Sequence, residues 1–139
     1  MYRHSSILLE TPEGSLLFHH RDNKPDIANP NMIGTFGGGV EDGENYEDAA
    51  IRELKEELQF QFNKTDLKKL VGGDYIQKDG KKAHKKLFLI KNVNRKNLAL
   101  NPNEGQGIIA VSGNDNLNEY NFTRGVKEAL NYYWKTNLQ

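Results

Sequence analysis

The chain has no cysteine, four prolines and one tryptophan among 139 residues. Without cysteine it forms no disulfide, no thiolate zinc site and no cysteine nucleophile. Its 19 basic and 19 acidic residues cancel, which argues against a nucleic-acid partner. No apolar run is long enough to cross a bilayer, and the opening MYRHSSILLETPEG reaches turn residues too early for a signal peptide. We therefore expect a cytoplasmic protein with no membrane partner.

Apolar runs separated by turn residues predict the order of strands and helices. One β-hairpin is predicted around residues 11–14 and another around Asp79-Gly80. Helical spacing predicts a helix over residues 45–58 with Asn45 as its N-cap, and a closing helix capped by Thr123. The length suits a single domain over residues 1–139. Strands, helix, strands, helix in this order favour an α+β fold with helices packed on a sheet.

The first helix carries an unusual group of carboxylates. At about 100° per residue, Glu53, Glu56 and Glu57 fall within roughly a 100° arc that flanks the apolar stripe. Glu53 and Glu57 are an i,i+4 like-charge pair, which costs a few tenths of a kcal/mol in an isolated helix. A solvated acidic face is one explanation. A site for a hard divalent cation, which prefers oxygen ligands, is the other.

Three consecutive glycines, Gly37, Gly38 and Gly39, come shortly before this helix. Glycine allows positive φ and close backbone approach to a ligand, so a carbonyl here could complete a metal shell. By itself the GGG run is more typical of a flexible turn. Its fixed distance from the carboxylates makes the combination informative.

The stretch GGGVEDGENYEDAAIRELKEELQF resembles the Nudix box, G-x5-E-x7-R-E-U-x-E-E-x-G-U, where U is a bulky apolar residue. The departure is Gln59, where the family has the glycine that ends the helix in a left-handed conformation. Gln59 must adopt that conformation at about 1–2 kcal/mol or end the helix in another way. The positions that match are Gly38, Glu44, Arg52, Glu53, Leu54, Glu56, Glu57 and Phe60.

The resemblance, to MutT-like members in particular, implies a Nudix fold: an α/β/α sandwich with a mixed β-sheet. It also implies a divalent cofactor, Mg²⁺ with Mn²⁺ as the alternative. The implied metal ligands are Glu53, Glu56, Glu57 and a backbone carbonyl at Gly38.

The remaining box positions have supporting roles by the same resemblance. Arg52 matches the arginine that orients a box glutamate. Gly37 and Glu44 are expected to support the loop and the helix.

The general base is open between two residues. In the family it is either a box glutamate, for which Glu53 fits, or an acid on a later loop. Glu104, in NPNEGQG, is the only acidic residue between Asp79 and Asp115. It is either this later acid or an exposed turn residue, and geometry must decide.

The resemblance implies hydrolysis of a nucleoside diphosphate linked to another group. We expect a (d)NTP or modified nucleotide as the small-molecule substrate, converted to a monophosphate and pyrophosphate. A nucleotide-sugar hydrolase and a non-catalytic nucleotide sensor are the alternatives. A homodimer is compatible with the sequence, which does not determine the oligomeric state.

Two further groups of residues carry weaker signals. His19 and His20 follow each other on a predicted strand and face opposite sides. We expect surface positions for them, with one ring pointing into the cleft as the alternative. The basic segment KDGKKAHKK, which begins at Lys78 and ends at Lys86, either attracts polyphosphate or keeps a hairpin tip soluble and unpaired.

Overall fold

The computed structural model describes residues 1–139 and contains seven β-strands and two α-helices. Short 3₁₀ turns cover Lys64–Asp66, Arg95–Asn97 and Leu117–Glu119. Both predicted hairpins and both predicted helices are present. The strands and helices are β1 (Tyr2–Glu10), β2 (Leu16–His20), β3 (Ile33–Gly34), β4 (Phe36–Gly39), α1 (Tyr46–Leu58), β5 (Lys68–Ile76), β6 (Lys82–Ile90), β7 (Gly107–Val111) and α2 (Arg124–Tyr133).

All seven strands belong to one mixed sheet with the central order β3-β2-β1-β6-β5. β1 and β6 are parallel, whereas the other strand pairs are antiparallel. One edge of β1 is shared, because β4 pairs with it from His4 to Ile7 and β2 pairs with it at Leu9 and Glu10. β7 extends the sheet beyond β2. The glycine-containing strand therefore lies beside the centre of the sheet.

Alternating side chains of β1 and β2 point into two separate cores. Ile7, Leu9 and Leu17 pack with Leu54 and Leu58 of α1. The neighbouring residues Leu8, Leu16 and Phe18 pack on the opposite side with Val126 and Leu130 of α2. Full burial of each large apolar side chain contributes about 1.5–3 kcal/mol. One helix thus covers each face of the mixed sheet, which confirms the predicted α/β/α sandwich.

The ends of α1 follow the sequence signals closely. The Asn45 side chain accepts a hydrogen bond from the Asp48 amide at 2.7 Å, which satisfies a free N–H of the first turn. At the other end Gln59 has φ 53° and ψ 38°, so it takes the left-handed conformation of the family glycine. α2 is capped in the same way by Thr123, which accepts from the Val126 amide at 3.3 Å.

The three consecutive glycines do not form a flexible turn. They lie within β4, where Gly37, Gly38 and Gly39 pair with Ser6, Ser5 and His4 of β1. β4 contacts α1 directly, so the glycines present backbone to the helix that follows.

The protein has no helix that combines the length and the hydropathy needed to span a membrane.

Candidate active site

Glu57 ties the last turn of α1 to the glycines of β4. Its Oε1 accepts a hydrogen bond from the Gly37 amide at 2.9 Å, and the residue is only 7% exposed. Burial is the main cause that raises the pKa of Glu57 to about 9; Glu53 and Glu104 add to the rise, and the Gly37 bond opposes it. A positive ion would reverse this shift, because it favours the charged carboxylate.

Glu53 lies directly against Gly38. A Cβ built on Gly38 would be 2.5 Å from Glu53 Oε1, closer than any side chain can approach. Burial is the main cause of the raised pKa of Glu53, and the hydrogen bond from Arg52 opposes it. Glycine at position 38 therefore makes room for the carboxylate.

Arg52 connects several groups of the site through hydrogen bonds. Its Nε and Nη2 donate to the two carboxylate oxygens of Glu44 at 2.9 and 3.0 Å, the bidentate geometry that guanidinium favours. Nη2 also donates to the Gly39 carbonyl at 2.9 Å, and Nη1 donates to Glu53 Oε1 at 2.9 Å. The Arg52 bond lowers the pKa of Glu44 to about 2. Arg52 thus links β4, the Glu44 turn and the helix.

Glu56 is the most open of the three helix carboxylates. Its side chain is 50% exposed, and Arg52 Nη1 approaches its Oε1 at 3.4 Å. It can therefore turn toward a ligand at little cost.

Glu104 approaches the same carboxylates from the segment between β6 and β7. Its Oε2 is buried and has no hydrogen-bond partner. Burial, then the charge of Glu56, raises the pKa of Glu104, and Glu104 in turn raises the pKa of Glu53 and Glu57. An unpartnered buried carboxylate oxygen is costly. Oε2 of Glu104 is therefore suited to accept a proton or to bind a cation.

The segment before Glu104 is docked on the C-terminal end of α1. The amides of Ala99 and Asn101 donate to the carbonyls of Leu58 and Glu57 at 3.0 and 2.8 Å. The Gln59 side chain donates to the Ala99 carbonyl at 3.0 Å. The free carbonyls of a helix end are thereby satisfied, and the Glu104 loop is brought to the carboxylates.

The side chains of this site are suited to bind a divalent cation, although they do not form a complete coordination shell. No group of three or more His, Cys, Asp or Glu side chains is gathered in a metal-binding arrangement. The fit rests on the orphaned Oε2 of Glu104, on the space that Gly38 leaves beside Glu53, and on an all-oxygen donor set of the kind that Mg²⁺ prefers. Glu56, whose side chain is 50% exposed, is the helix carboxylate with the most freedom to turn toward a cation.

A cleft of about 680 Å³ opens beside the contact between Gly37 and Glu57. Gly37 and Glu57 line it together with four cationic residues, Arg21, Lys78, Lys85 and Arg124. Lys85 and Arg124 both pair with Glu128, at 2.8 and 3.0 Å, so part of this charge is already neutralised. The cleft offers an anion cationic side chains together with access to Glu57.

His19 is a residue of the site that the sequence placed wrongly. It is only 7% exposed, not at the surface, and its Nε2 lies 2.5 Å from the Glu104 carbonyl. Its ring stacks on Phe36, with 5.2 Å between centroids. The signal that could have found it is strand alternation: Leu17 enters the core under α1, so His19 must face the same side.

The predicted residues are brought together as follows. Arg52 joins Glu44, Glu53 and Glu56, while Glu57 bonds Gly37 and Glu53 lies against Gly38. Glu104 has no bond to this group but lies near enough to raise the pKa of Glu53 and Glu57. Within the basic segment, Lys78 and Lys85 reach the cleft, whereas Lys82 pairs with Asp74 at 3.2 Å.

Comparisons with known proteins agree with this geometry. A family profile described as NUDIX domain matches residues 3–129. A comparison with curated proteins gave no match. Among solved structures, the MutT protein of Methanosarcina mazei Go1 is similar, with TM-score 0.79 and 16% identity over 99% of this chain and 96% of that one.

Two further structures share the fold. The MutT NUDIX hydrolase of Burkholderia pseudomallei has TM-score 0.72 and 19% identity over 94% of this chain and 98% of its own. An Ap4A hydrolase of C. elegans, solved as a binary complex, has TM-score 0.62 and 21% identity over 95% of this chain and 85% of its own. At these identities the structural likeness shows the fold alone, whereas the family match spans most of the sequence. The chain therefore belongs to the Nudix family and is a Nudix hydrolase, a pyrophosphohydrolase of nucleoside diphosphate derivatives.

Proposed function

We propose that this Nudix hydrolase converts a (d)NTP or modified nucleotide into a nucleoside monophosphate and pyrophosphate, with Mg²⁺ as its cofactor and Mn²⁺ as the alternative ion. The observation that carries the proposal is the shared lining of one cleft, which includes both the Glu57 carboxylate and unpaired cations such as Lys78. A polyphosphate needs both: cations for its own charge, and carboxylates for the ions that accompany it.

Glu53, Glu56 and Glu57, with the carbonyl of Gly38, are the proposed cation ligands. Divalent ions held there would neutralise phosphate oxygens and lower the pKa of water. Arg52 orients Glu53 through the bond at 2.9 Å. Glu44 anchors Arg52, and Gly37 anchors Glu57.

We assign the general base to Glu104 and leave Glu53 as a ligand. Glu53 already receives a hydrogen bond from Arg52, whereas the buried Oε2 of Glu104 has no partner. The raised pKa of Glu104 also makes its carboxylate a better proton acceptor. In the reaction the water oxygen bonds to one phosphorus of the anhydride between the α- and β-phosphates, and the bond from that phosphorus to the bridging oxygen breaks. The nucleoside monophosphate or pyrophosphate on the other side departs with that electron pair, and Glu104 accepts the water proton.

A substrate panel tests the proposal. Nucleoside triphosphates, dinucleoside polyphosphates and nucleotide sugars are incubated with Mg²⁺, and monophosphate, phosphate and pyrophosphate are quantified. We expect triphosphates to give monophosphate and pyrophosphate with the highest kcat/KM. Preference for nucleotide sugars would contradict the substrate assignment. Binding without product across the whole panel would contradict hydrolysis and favour the sensor.

The base is tested by comparing Glu104→Gln with Glu53→Gln. Loss of a general base lowers kcat by about 10²–10⁴-fold, and for Glu104→Gln we expect this loss without a change in the Mg²⁺ concentration that gives half-maximal rate. Glu53→Gln is expected to raise that concentration. Glu13→Gln, in the exposed first hairpin turn, is the matched control. Near-normal kcat for Glu104→Gln would move the base to Glu53.

A further inference from the structure

The imidazole of His19 lies between the helix carboxylates and the backbone of the Glu104 loop. Its Nε2 is 2.5 Å from the Glu104 carbonyl oxygen, and its Nδ1 is 3.6 Å from Glu57 Oε2. A carbonyl only accepts hydrogen bonds, so the proton of this bond is carried by Nε2. His19 therefore contacts both Glu57 and the loop of the proposed base.

The ring has little freedom to move. It stacks on Phe36 with an interplanar angle of 18°, and Phe36 is fully buried. Phe36 is also the residue before Gly37, whose amide holds Glu57. The imidazole therefore links β4, through Phe36, to the Glu104 loop.

Gly105 makes this close contact sterically possible. Its φ is +120°, a value that side-chain-bearing residues rarely adopt, and a Cβ there would overlap Nε2 of His19. Two backbone amides fix the next residues of the loop. The Gly105 amide donates to Asp22 Oδ2 at 3.1 Å, and the Gln106 amide donates to the His20 carbonyl at 2.8 Å. These bonds hold residues 105 and 106, whereas only His19 holds the carbonyl of Glu104 from the side of β2.

We propose that His19 is a positioning residue for hydrolysis: its Nε2–H holds the Glu104 carbonyl and thereby sets the Glu104 carboxylate beside Glu53 and Glu57. This inference rests on the proposed function, in which Glu104 accepts the proton of water. It predicts that the donor at the Nε2 position, and not the ring volume, is required for turnover.

Three substitutions separate the donor from the volume. His19→Leu fills the core without a donor, His19→Asn places an amide near Nδ1, and His19→Gln places one near Nε2. Misplacement of a catalytic group by about 1 Å can cost up to about 100-fold. We expect kcat to fall by about 10- to 100-fold in His19→Leu and His19→Asn with KM within about threefold, and His19→Gln to recover most of the loss.

The matched control is His84→Leu, because His84 lies on β6 and bonds Asp74 instead of the loop. Gly105→Ala should cause the same loss of kcat by a different change. It leaves His19 intact, but its Cβ would push the loop away from the imidazole. Equal kcat in wild type, His19→Leu and Gly105→Ala would overturn the proposal. So would a loss in His19→Gln as large as that in His19→Leu.

A double-mutant cycle asks whether His19 acts through Glu104. If it does, His19→Leu lowers kcat in the wild-type background but adds almost nothing to Glu104→Gln, because the group being positioned is already gone. The same factor in both backgrounds would overturn the proposal.

Histidine and amide NMR give a readout that needs no turnover. We expect the His19 ring in the Nε2–H form with a protected ring proton, and faster amide exchange at residues 104–106 in His19→Leu than in wild type. A ring in the Nδ1–H form would overturn the proposal. If the wild type hydrolyses nothing, the proposed function fails while this measurement still tests the contact; if Glu104→Gln is slow and His19→Leu is not, the inference alone fails.

Discussion

The backbone amide of Gly37 donates to Oε1 of Glu57 at 2.9 Å, and this bond joins β4 to the last turn of α1. The bond gives a partner to a carboxyl group that is only 7% exposed, whereas the side chains of Glu53 and Glu56 in the same helix are 18% and 50% exposed. It leaves the second oxygen of Glu57 free toward His19 and the cleft. A backbone amide of β4 thus fixes the position of the Glu57 carboxyl group.

Replacing Glu57 tests whether that second oxygen binds a cation. Glu57→Gln keeps an acceptor for the Gly37 amide but removes the carboxyl group that would ionise to bind a cation. We expect kcat/KM to fall by at least about 100-fold, while Mg²⁺ raises the Tm of the wild type and not of the variant, since a ligand stabilises only the state that binds it. Activity assays and thermal melts with Mg²⁺ or EDTA measure both effects.

The stability of Glu57→Gln without metal shows whether the variant still folds, and is therefore the control for its loss of activity. Because burial raises the pKa of Glu57 to about 9, the neutral amide replaces a carboxyl that is already protonated at neutral pH. Glu57→Gln in EDTA should therefore melt no lower than wild type. A much lower Tm would mean that the activity loss reports unfolding.

Gly37 and Gly38 should fail in different ways when each is changed to alanine. At Gly37, φ is +140° and a Cβ would overlap the Ser5 carbonyl, so Gly37→Ala should lose at least about 2 kcal/mol of unfolding free energy. At Gly38 the Cβ meets only the movable end of Glu53. Gly38→Ala should keep stability within about 1 kcal/mol and lose activity.

Urea unfolding and steady-state kinetics on the two variants measure this contrast. Gly73→Ala is the control, because a Cβ there meets nothing within 4 Å and Gly73 has no positive φ. Full activity in Gly38→Ala would argue against a role for Glu53 as a ligand.

The box was predictable from the sequence because its contacts follow from spacing along one helix and the turn before it. Arg52 reaches Glu56 one turn later and Glu44 eight residues earlier, so the motif contains most of its own geometry. That the glycines form strand β4 could not be predicted in this way, because it depends on their pairing with a distant strand, with Gly39 opposite His4 of β1.

The Glu104 loop could not be placed from the sequence. It reaches the site because β7 pairs with β2, with Gly107 opposite His20, and residues so far apart in the chain leave no local pattern. The burial of His19 follows from the same long-range packing. Its strand alternation with Leu17 was the only local sign.

The Arg52–Glu44 pair should make stability depend on pH in the acid range. The folded pKa of Glu44 is about 2, below its ordinary 4.5, so the unfolded state binds more protons between these values. The stabilisation is therefore complete above about pH 4.5 and is lost as the pH falls toward 2. We expect Glu44→Gln to cost about 1–2 kcal/mol at pH 7, with a smaller difference from wild type at pH 3.

Urea titrations of both proteins from pH 7 to pH 3 give this difference directly. Glu41→Gln is the control, because Glu41 is 70% exposed and its oxygen lies 3.7 Å from Arg52. A gap between wild type and Glu44→Gln that stays constant over this range would contradict the assigned ion pair.

Gln59 combines a backbone cost with a side-chain gain, and two substitutions separate them. Its φ of 53° is the left-handed conformation, which costs a side-chain-bearing residue about 1–2 kcal/mol, while its amide donates to the Ala99 carbonyl at 3.0 Å. Gln59→Ala keeps the cost and loses the bond, so it should be less stable by about 1 kcal/mol. Gln59→Gly loses both and should unfold close to wild type in urea. If the alanine and glycine variants were equally stable, the left-handed helix end would carry no strain, and glutamine would stand at this position for the hydrogen bond alone.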